Sequence, residues 1–239
     1  MKLLLISNST NAGEDYLDHP KNEIKKFLGK TKVKALFIPY AGVTFSYDDY
    51  ETKVKERFNE IGHDVISIHR FDNPVKAVEE AEAIVVGGGN TFELVNQIYK
   101  NKLIEPIRKK VLNNETPFVG WSAGSNVACP SIRTTNDMPI VEPESFDVFN
   151  FVPFQINPHY LDKNPEGHGG ETREDRIIEF IELNKNIYVT GLREGTMFWL
   201  ENNTIKLIGE RPCRIFKYGK APKELNNNDN FDFLLKQIV

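Results

Sequence analysis

The stretch Pro117-Phe118-Val119-Gly120-Trp121-Ser122-Ala123-Gly124 reads as a short apolar strand, a sharp turn carrying a serine, and the start of a helix. Small, helix-compatible residues continue from Ala123 to Ala128. In G-x-S-x-G the two glycines let the backbone turn where a β-carbon would collide. The serine is then held at the tip of the turn, with its hydroxyl exposed and the amide of Ala123 free to donate. That is a nucleophile elbow, and it belongs after a central strand of an α/β sheet.

The pattern on either side of the elbow agrees. The spacing predicts strands over Lys2–Ser7, Val33–Pro39, Asp64–His69, Ala83–Val86 and Pro117–Gly120. Between them it predicts helices over Asn22–Leu28, Asp48–Ile61, Pro74–Glu80, Thr91–Tyr99 and Leu103–Leu112. Such alternation implies βαβ crossovers and a mainly parallel sheet with helices on both faces, a three-layer α/β/α architecture. Beyond the elbow, Cys129 to Asn150 reads as a long ordered loop, rich in Pro, Thr, Asn and Asp. A helix is predicted over Thr172–Leu183, and short strands over Ile187–Thr190, Met197–Leu200, Ile205–Ile208 and Arg214–Lys217. Glu201-Asn202-Asn203 suggests a hairpin turn, and Phe231–Ile238 a closing helix.

The bulk properties fit this scheme. The chain has 239 residues, 40% of them hydrophobic, and a net charge of −4 with both signs mixed along its length. This predicts a soluble globular protein with a single catalytic domain over residues 1–239. No basic stripe suggests nucleic acid, and no run approaches the roughly 20 apolar residues of a membrane helix. The apolar run at Leu3–Ile6 is too short for a signal peptide and turns polar at once, from Asn8 to Asp15. Cys129 and Cys213 are too few for a disulfide framework and read as buried thiols of a reducing cytosol.

A serine needs a base within hydrogen-bond reach and a third group to orient that base. Of the five histidines, His159 is favoured because Asn157-Pro158-His159 follows an apolar strand in a Pro-fixed turn, where functional groups of α/β sheets gather. His168, in Pro165-Glu166-Gly167-His168, is second. Two carboxylates compete as orienter. Asp137 gives the order Ser–Asp–His, and Glu194, just after a predicted strand, gives Ser–His–Glu. Either order can build the same geometry. The oxyanion needs two donors. Ala123 supplies one amide, and the loop Gly87-Gly88-Gly89-Asn90-Thr91 offers the second through Gly88 or Gly89. That loop lacks the spacing of a dinucleotide fingerprint and the lysine of a P-loop.

These residues sit inside longer blocks. Val86 to Phe92, Gly120 to Asn126, Pro130 to Val141, Gln155 to His159, Pro165 to His168 and Gly170 to Arg176 are together similar to the peptidase E family of aspartyl dipeptidases. The resemblance implies a cytoplasmic serine peptidase that removes an N-terminal aspartate from Asp-X dipeptides, with no metal and no cofactor. It implies a fold like that of the class I glutamine amidotransferases, a flavodoxin-like arrangement. Carried over, Ser122 is the nucleophile, His159 the base and Glu194 the acidic partner, with Asp137 a contributor nearby. The family motif often has Pro where Arg193 stands here.

The substrate brings a carboxylate that demands a cation, for which Arg173 is the first choice and Arg133 and His168 follow. A plainer reading pairs Arg173 and Arg176 with Glu171 or Glu174 at a helix start. The substrate ammonium needs an acceptor, either Asn90 or Glu171. The partner expected is a small peptide, with no nucleic acid or membrane, and the oligomeric state is open between monomer and homodimer. Rival readings are a cyanophycinase-like enzyme acting on β-linked aspartyl substrates, a generic carboxylesterase, and a non-catalytic amidotransferase-like module.

Overall fold

Along β1 (Leu3–Ile6), Leu3 and Leu5 enter one core and Leu4 and Ile6 the other, and all four are fully buried. A strand apolar on both faces needs a helical layer on each side. The computed structural model describes every residue except 114, 165, 168 and 237–239. In it the chain continues through α1 (Lys21–Leu28), β2 (Lys34–Ile38), α2 (Tyr47–Glu60), β3 (Asp64–Ser67), α3 (Pro74–Glu80), β4 (Ile84–Val86), α4 (Thr91–Lys100), α5 (Ile104–Asn113), β5 (Phe118–Trp121) and α6 (Ala123–Asn126). Then follow β6 (Gln155–Asn157), α7 (Arg173–Leu183), β7 (Val189–Gly191), β8 (Met197–Glu201), β9 (Thr204–Ile208), β10 (Cys213–Lys217) and β11 (Lys220–Leu225).

Among the described residues the larger sheet has seven strands in the order β3-β2-β4-β5-β1-β8-β9. The first five are parallel, and β8 and β9 are added antiparallel. One core packs Leu4, Ile6, Phe37 and Val85 with Phe27 of α1 and Val54 and Phe58 of α2. The other packs Leu3, Leu5, Ile84 and Val86 with Val78 of α3, Leu94 of α4 and Ile107 of α5. This is the expected three-layer α/β/α arrangement, with the elbow after a central strand. Helix starts are marked by side-chain caps. Ser46, Asn73, Asn90 and Thr172 accept backbone N–H groups of the first turns of α2, α3, α4 and α7. The expected hairpin also forms, because Asn202 and Asn203 adopt the left-handed conformation that its turn requires.

Two features depart from expectation. A second sheet, β11-β10-β7-β6, is separate from the first, and in it β6 and β7 are parallel neighbours with Asn157 opposite Gly191. Its edge strand β11 carries Pro222 and is mostly exposed, which suits an edge and conceals it from hydrophobic periodicity. Phe231–Ile238 does not form the predicted helix. A 3-10 turn spans Asp232–Leu235, and residues 237 and 238 lie outside the described part. The turn is fixed by local polar bonds. Asn230 Oδ1 accepts the Asp232 N–H at 2.7 Å, and Asp232 Oδ1 accepts the Ile205 N–H of β9 at 2.8 Å.

The elbow glycines have measurable reasons. A β-carbon on Gly124 would lie 2.2 Å from the Val86 carbonyl oxygen, and one on Gly120 would lie 2.3 Å from the Gly124 oxygen. The turn therefore lies against the backbone of β4 at glycine distance. Gly124→Ala forces β4 and β5 apart and is expected to cost about 3 kcal/mol, near the upper end for overpacking. The midpoint of thermal unfolding should drop by about 6–12 °C, measured by calorimetry. A shift below about 2 °C would show that the turn can relax.

Candidate active site

Three strand ends converge at the elbow, and each brings one part of the site. Ser122, after β5, has φ +54° and ψ −114°, a strained conformation for a residue with a β-carbon. It is held there by its own N–H, which donates to Ile6 O of β1 at 3.0 Å. Its carbonyl accepts the Ser125 and Asn126 N–H groups at 2.9 and 3.1 Å. At this turn Ser122 lines a cavity and its hydroxyl lies within hydrogen-bond distance of His159.

His159 follows β6 and Glu194 follows β7. Because β6 and β7 pair in parallel, both leave the second sheet at the same end. His159 Nδ1 lies 2.7 Å from Glu194 Oε1, and His159 Nε2 lies 3.0 Å from Ser122 Oγ. A carboxylate only accepts hydrogen bonds, so Nδ1 carries the proton. Nε2 is then free to accept the serine hydroxyl. The histidine and glutamate side chains are 38% and 40% exposed, so water reaches this pair.

The backbone around His159 is fastened by residues that motif reading passed over. His159 has φ +52°. Its N–H donates at 2.9 Å to Ser7 Oγ, which in turn donates at 2.7 Å to Leu192 O. Asn136 Nδ2 donates to Pro158 O at 2.6 Å. Asn8 Oδ1 accepts the Gly195 N–H at 2.8 Å, beside Glu194. Ser7 and Asn8 are fully buried at the end of β1. The signal available in sequence was a polar pair ending an apolar strand, since buried polar groups must find partners.

Arg193, where the resembling family often has Pro, is buried and forks to two carboxylates. It donates to Glu224 at 2.8 and 2.9 Å, to Asp162, and to Pro212 O at 2.6 Å. A buried guanidinium with both forks filled anchors this loop to β11.

The glycine loop after β4 lies beside the serine. A β-carbon on Gly88 would sit 3.0 Å from Ser122 Cβ, and one on Gly89, at φ +133°, would sit 2.2 Å from Ala41 O. Tyr50 fixes the peptide between them. Its hydroxyl donates to Gly88 O at 2.9 Å and accepts from Tyr16 Oη and Trp121 Nε1 at 3.1 and 3.3 Å. Burial pushes the Tyr50 phenol up to about 12, so it stays a neutral donor. In a trans peptide the N–H points opposite the carbonyl, so Tyr50 also fixes the direction of the Gly89 N–H. A cavity of about 590 Å³ opens over this loop and over Ser122 and His159, with Tyr16, Phe45, Asp49 and Lys53 in its walls.

Other expected residues lie elsewhere. Asp137 does not reach His159 in this arrangement. Its Oδ2 accepts the Thr91 N–H at 2.7 Å and the Thr91 hydroxyl at 2.5 Å, because it is spent on the first turn of α4. Asn90 is the N-cap of α4, accepting from Glu93 N–H and donating to Met138 O, so its side chain is already used. Glu171 pairs with Arg176 at 3.7 Å, and Arg133 with Asp147 at 3.4 Å.

Arg173 is half-buried and makes no ion pair among the described residues, while Glu174 pairs with Arg214 at 2.8 Å. Burial, then Arg176, lower its affinity for its proton, and Asp137 opposes them. It lines a small cavity with Arg133, Asn136 and Asn157 that shares none of these residues with the larger one. His168 lies outside the described residues.

Asp48, Glu51 and His69 have ligand-type atoms within 4.8 Å of one another. Arg70 already neutralises both carboxylates, with Nε 2.8 Å from Glu51 and NH2 2.5 Å from Asp48, so the cluster reads as an ion-pair network.

Residues 3–208 match the family described as Peptidase family S51. The chain belongs to peptidase family S51. It is 51% identical over 236 residues to Peptidase E of Nostoc sp. strain PCC 7120, covering 99% of this chain and 97% of that one. It is 43% identical over 231 residues to Peptidase E of Salmonella paratyphi A, covering 97% and 100%. The fold of this S51 peptidase is shared with a crystal structure of a peptidase from an acI-B1 Actinobacterium. The TM-score is 0.67 and the sequence identity 17%, over 96% of each chain. These relatives make the chain a serine peptidase.

Proposed function

We propose that this S51 peptidase hydrolyses dipeptides with an N-terminal aspartate through an acyl-enzyme on Ser122. The observation that carries the reading is the hydrogen-bonded chain Ser122–His159–Glu194. His159 takes the proton of the Ser122 hydroxyl as Oγ attacks the scissile carbonyl, and returns it to the leaving amine. Glu194 holds the imidazole in the tautomer that this requires. The Ala123 and Gly89 N–H groups stabilise the oxyanion, with the Gly88 backbone forming the wall between them. Water then attacks the acyl-enzyme, with His159 again as base.

The half-buried Arg173, which makes no ion pair among the described residues, and the name Peptidase E borne by the relatives support an acidic substrate. Arg173 receives the aspartyl carboxylate in this reading, which requires the wall between its cavity and the larger one to open on substrate binding. A cytoplasmic location accords with two buried free thiols, Cys129 and Cys213.

The test is a kinetic comparison of Asp-Leu, Glu-Leu, Asn-Leu and β-linked Asp-Leu with purified protein. The expected order places Asp-Leu first, with Asn-Leu at least about a hundredfold lower in kcat/KM because a charge-assisted contact is lost. Preference for the β-linked isomer would favour the cyanophycinase-like alternative. Cleavage of simple esters alone would favour a carboxylesterase.

A further inference from the structure

Lys53 stands in the wall of the cavity that holds Ser122 and His159, and it is the one lysine or arginine among that cavity's lining residues. Its position is built. The ammonium sits 4.1 Å from the centre of the Tyr16 ring, a cation–π contact that holds a flexible side chain in place. Tyr16 is itself fixed, since Arg57 Nε donates to its carbonyl at 2.9 Å and its hydroxyl bonds Tyr50. Tyr50 in turn bonds Gly88 beside Ser122. A continuous aromatic wall therefore runs from Lys53 to the loop next to the nucleophile.

No carboxylate of the described residues lies within ion-pair distance of the Lys53 ammonium. Asp49, one turn earlier on α2 and in the same wall, accepts the Ser46 hydroxyl instead. Among the described residues the cation thus borders the cavity without an anionic partner, beside Phe45 and Tyr16, which offer apolar surface to a side chain.

We infer that Lys53 binds the free carboxylate at the C-terminus of the substrate's second residue, and so restricts cleavage to dipeptides. The inference rests on the peptidase reading above. In an Asp-X dipeptide that carboxylate is separated from the scissile nitrogen by one α-carbon, so it lies on the leaving side, where His159 delivers the proton. Lys53 is exposed at the edge of the cavity, so a longer peptide, which presents a neutral amide there, forgoes the charge-assisted contact that a terminal carboxylate makes, and that difference selects against it. The inference separates two carboxylates, the terminal one at Lys53 and the aspartyl side chain at Arg173.

The experiment measures kcat/KM for Asp-Leu, Asp-Leu amide and Asn-Leu with the native protein, K53M and K53R. The native protein is expected to prefer Asp-Leu over its amide by about ten- to thirtyfold, carried mainly in KM. K53M should reduce that preference to near unity while keeping the preference for Asp-Leu over Asn-Leu, and K53R should restore most of the first preference. An undiminished amide preference in K53M, or none in the native protein, overturns the inference. Collapse of the Asp-over-Asn preference in K53M overturns it in another way, by assigning Lys53 to the aspartyl side chain. Absence of cleavage of all three peptides by folded native protein overturns the peptidase reading, and this inference with it.

Discussion

Ser122→Ala is expected to lower kcat for Asp-Leu by at least about 10⁴-fold, with the protein still folded. The loss is large because the other groups act only through this oxygen. His159 has no other proton to take, and no acyl-enzyme can form. The fold is expected to survive because Ser122 makes its structural bonds through the backbone, to Ile6, Ser125 and Asn126. The strained φ of +54° provides a control. Ser122→Gly should be equally inactive yet more stable by about 1 kcal/mol, since glycine occupies positive φ at little cost. Rapid-quench kinetics on the native protein, with the two variants followed by calorimetry, would check both halves. Residual turnover above about one percent in Ser122→Ala would remove Ser122 from the nucleophile's role.

Glu194→Gln is expected to reduce kcat by about 10²- to 10³-fold, with little change in KM. A neutral amide that presents its N–H₂ to Nδ1 favours the wrong histidine tautomer, a change that costs about 10⁴ in a sheltered triad. The smaller figure follows from exposure, because water reaches both His159 and Glu194 and partly replaces the lost charge. Asp137→Ala is the informative contrast. It removes the acceptor for the Thr91 N–H and hydroxyl, and should lower stability by about 1–2 kcal/mol with kcat reduced less than about tenfold. The opposite pattern, with kcat collapsing in Asp137→Ala and surviving in Glu194→Gln, would exchange the two carboxylates.

Much of this was legible in local sequence. The elbow announced itself because its chemistry needs glycine at fixed offsets from the serine, where β-carbons would meet the Val86 and Gly124 carbonyls. The parallel strands β1 to β5 were readable because burial on both faces makes them continuously apolar. His159 was readable from a Pro-fixed turn after a strand. The edge strand β11 was not, since mostly exposed residues and Pro222 leave no periodic signal. Nor were Ser7, Asn8 and Asn136, whose role is to hold backbone groups of distant segments.

The layered α/β class, the elbow with Ser122, and a short list of bases and acids were all written in local sequence. All of these follow from side-chain periodicity and from steric rules acting within a few residues. Which carboxylate stands beside His159 is a matter of long-range packing: Glu194 bonds its Nδ1, and Asp137 bonds Thr91 instead. That placement depends on β6 lying parallel beside β7, which brings His159 and Glu194 to one end of the second sheet. The same packing commits Asp137 to α4 and separates Lys53 from Arg173. Pairing between strands far apart in the chain is set by total burial and hydrogen-bond satisfaction, and no local pattern encodes it.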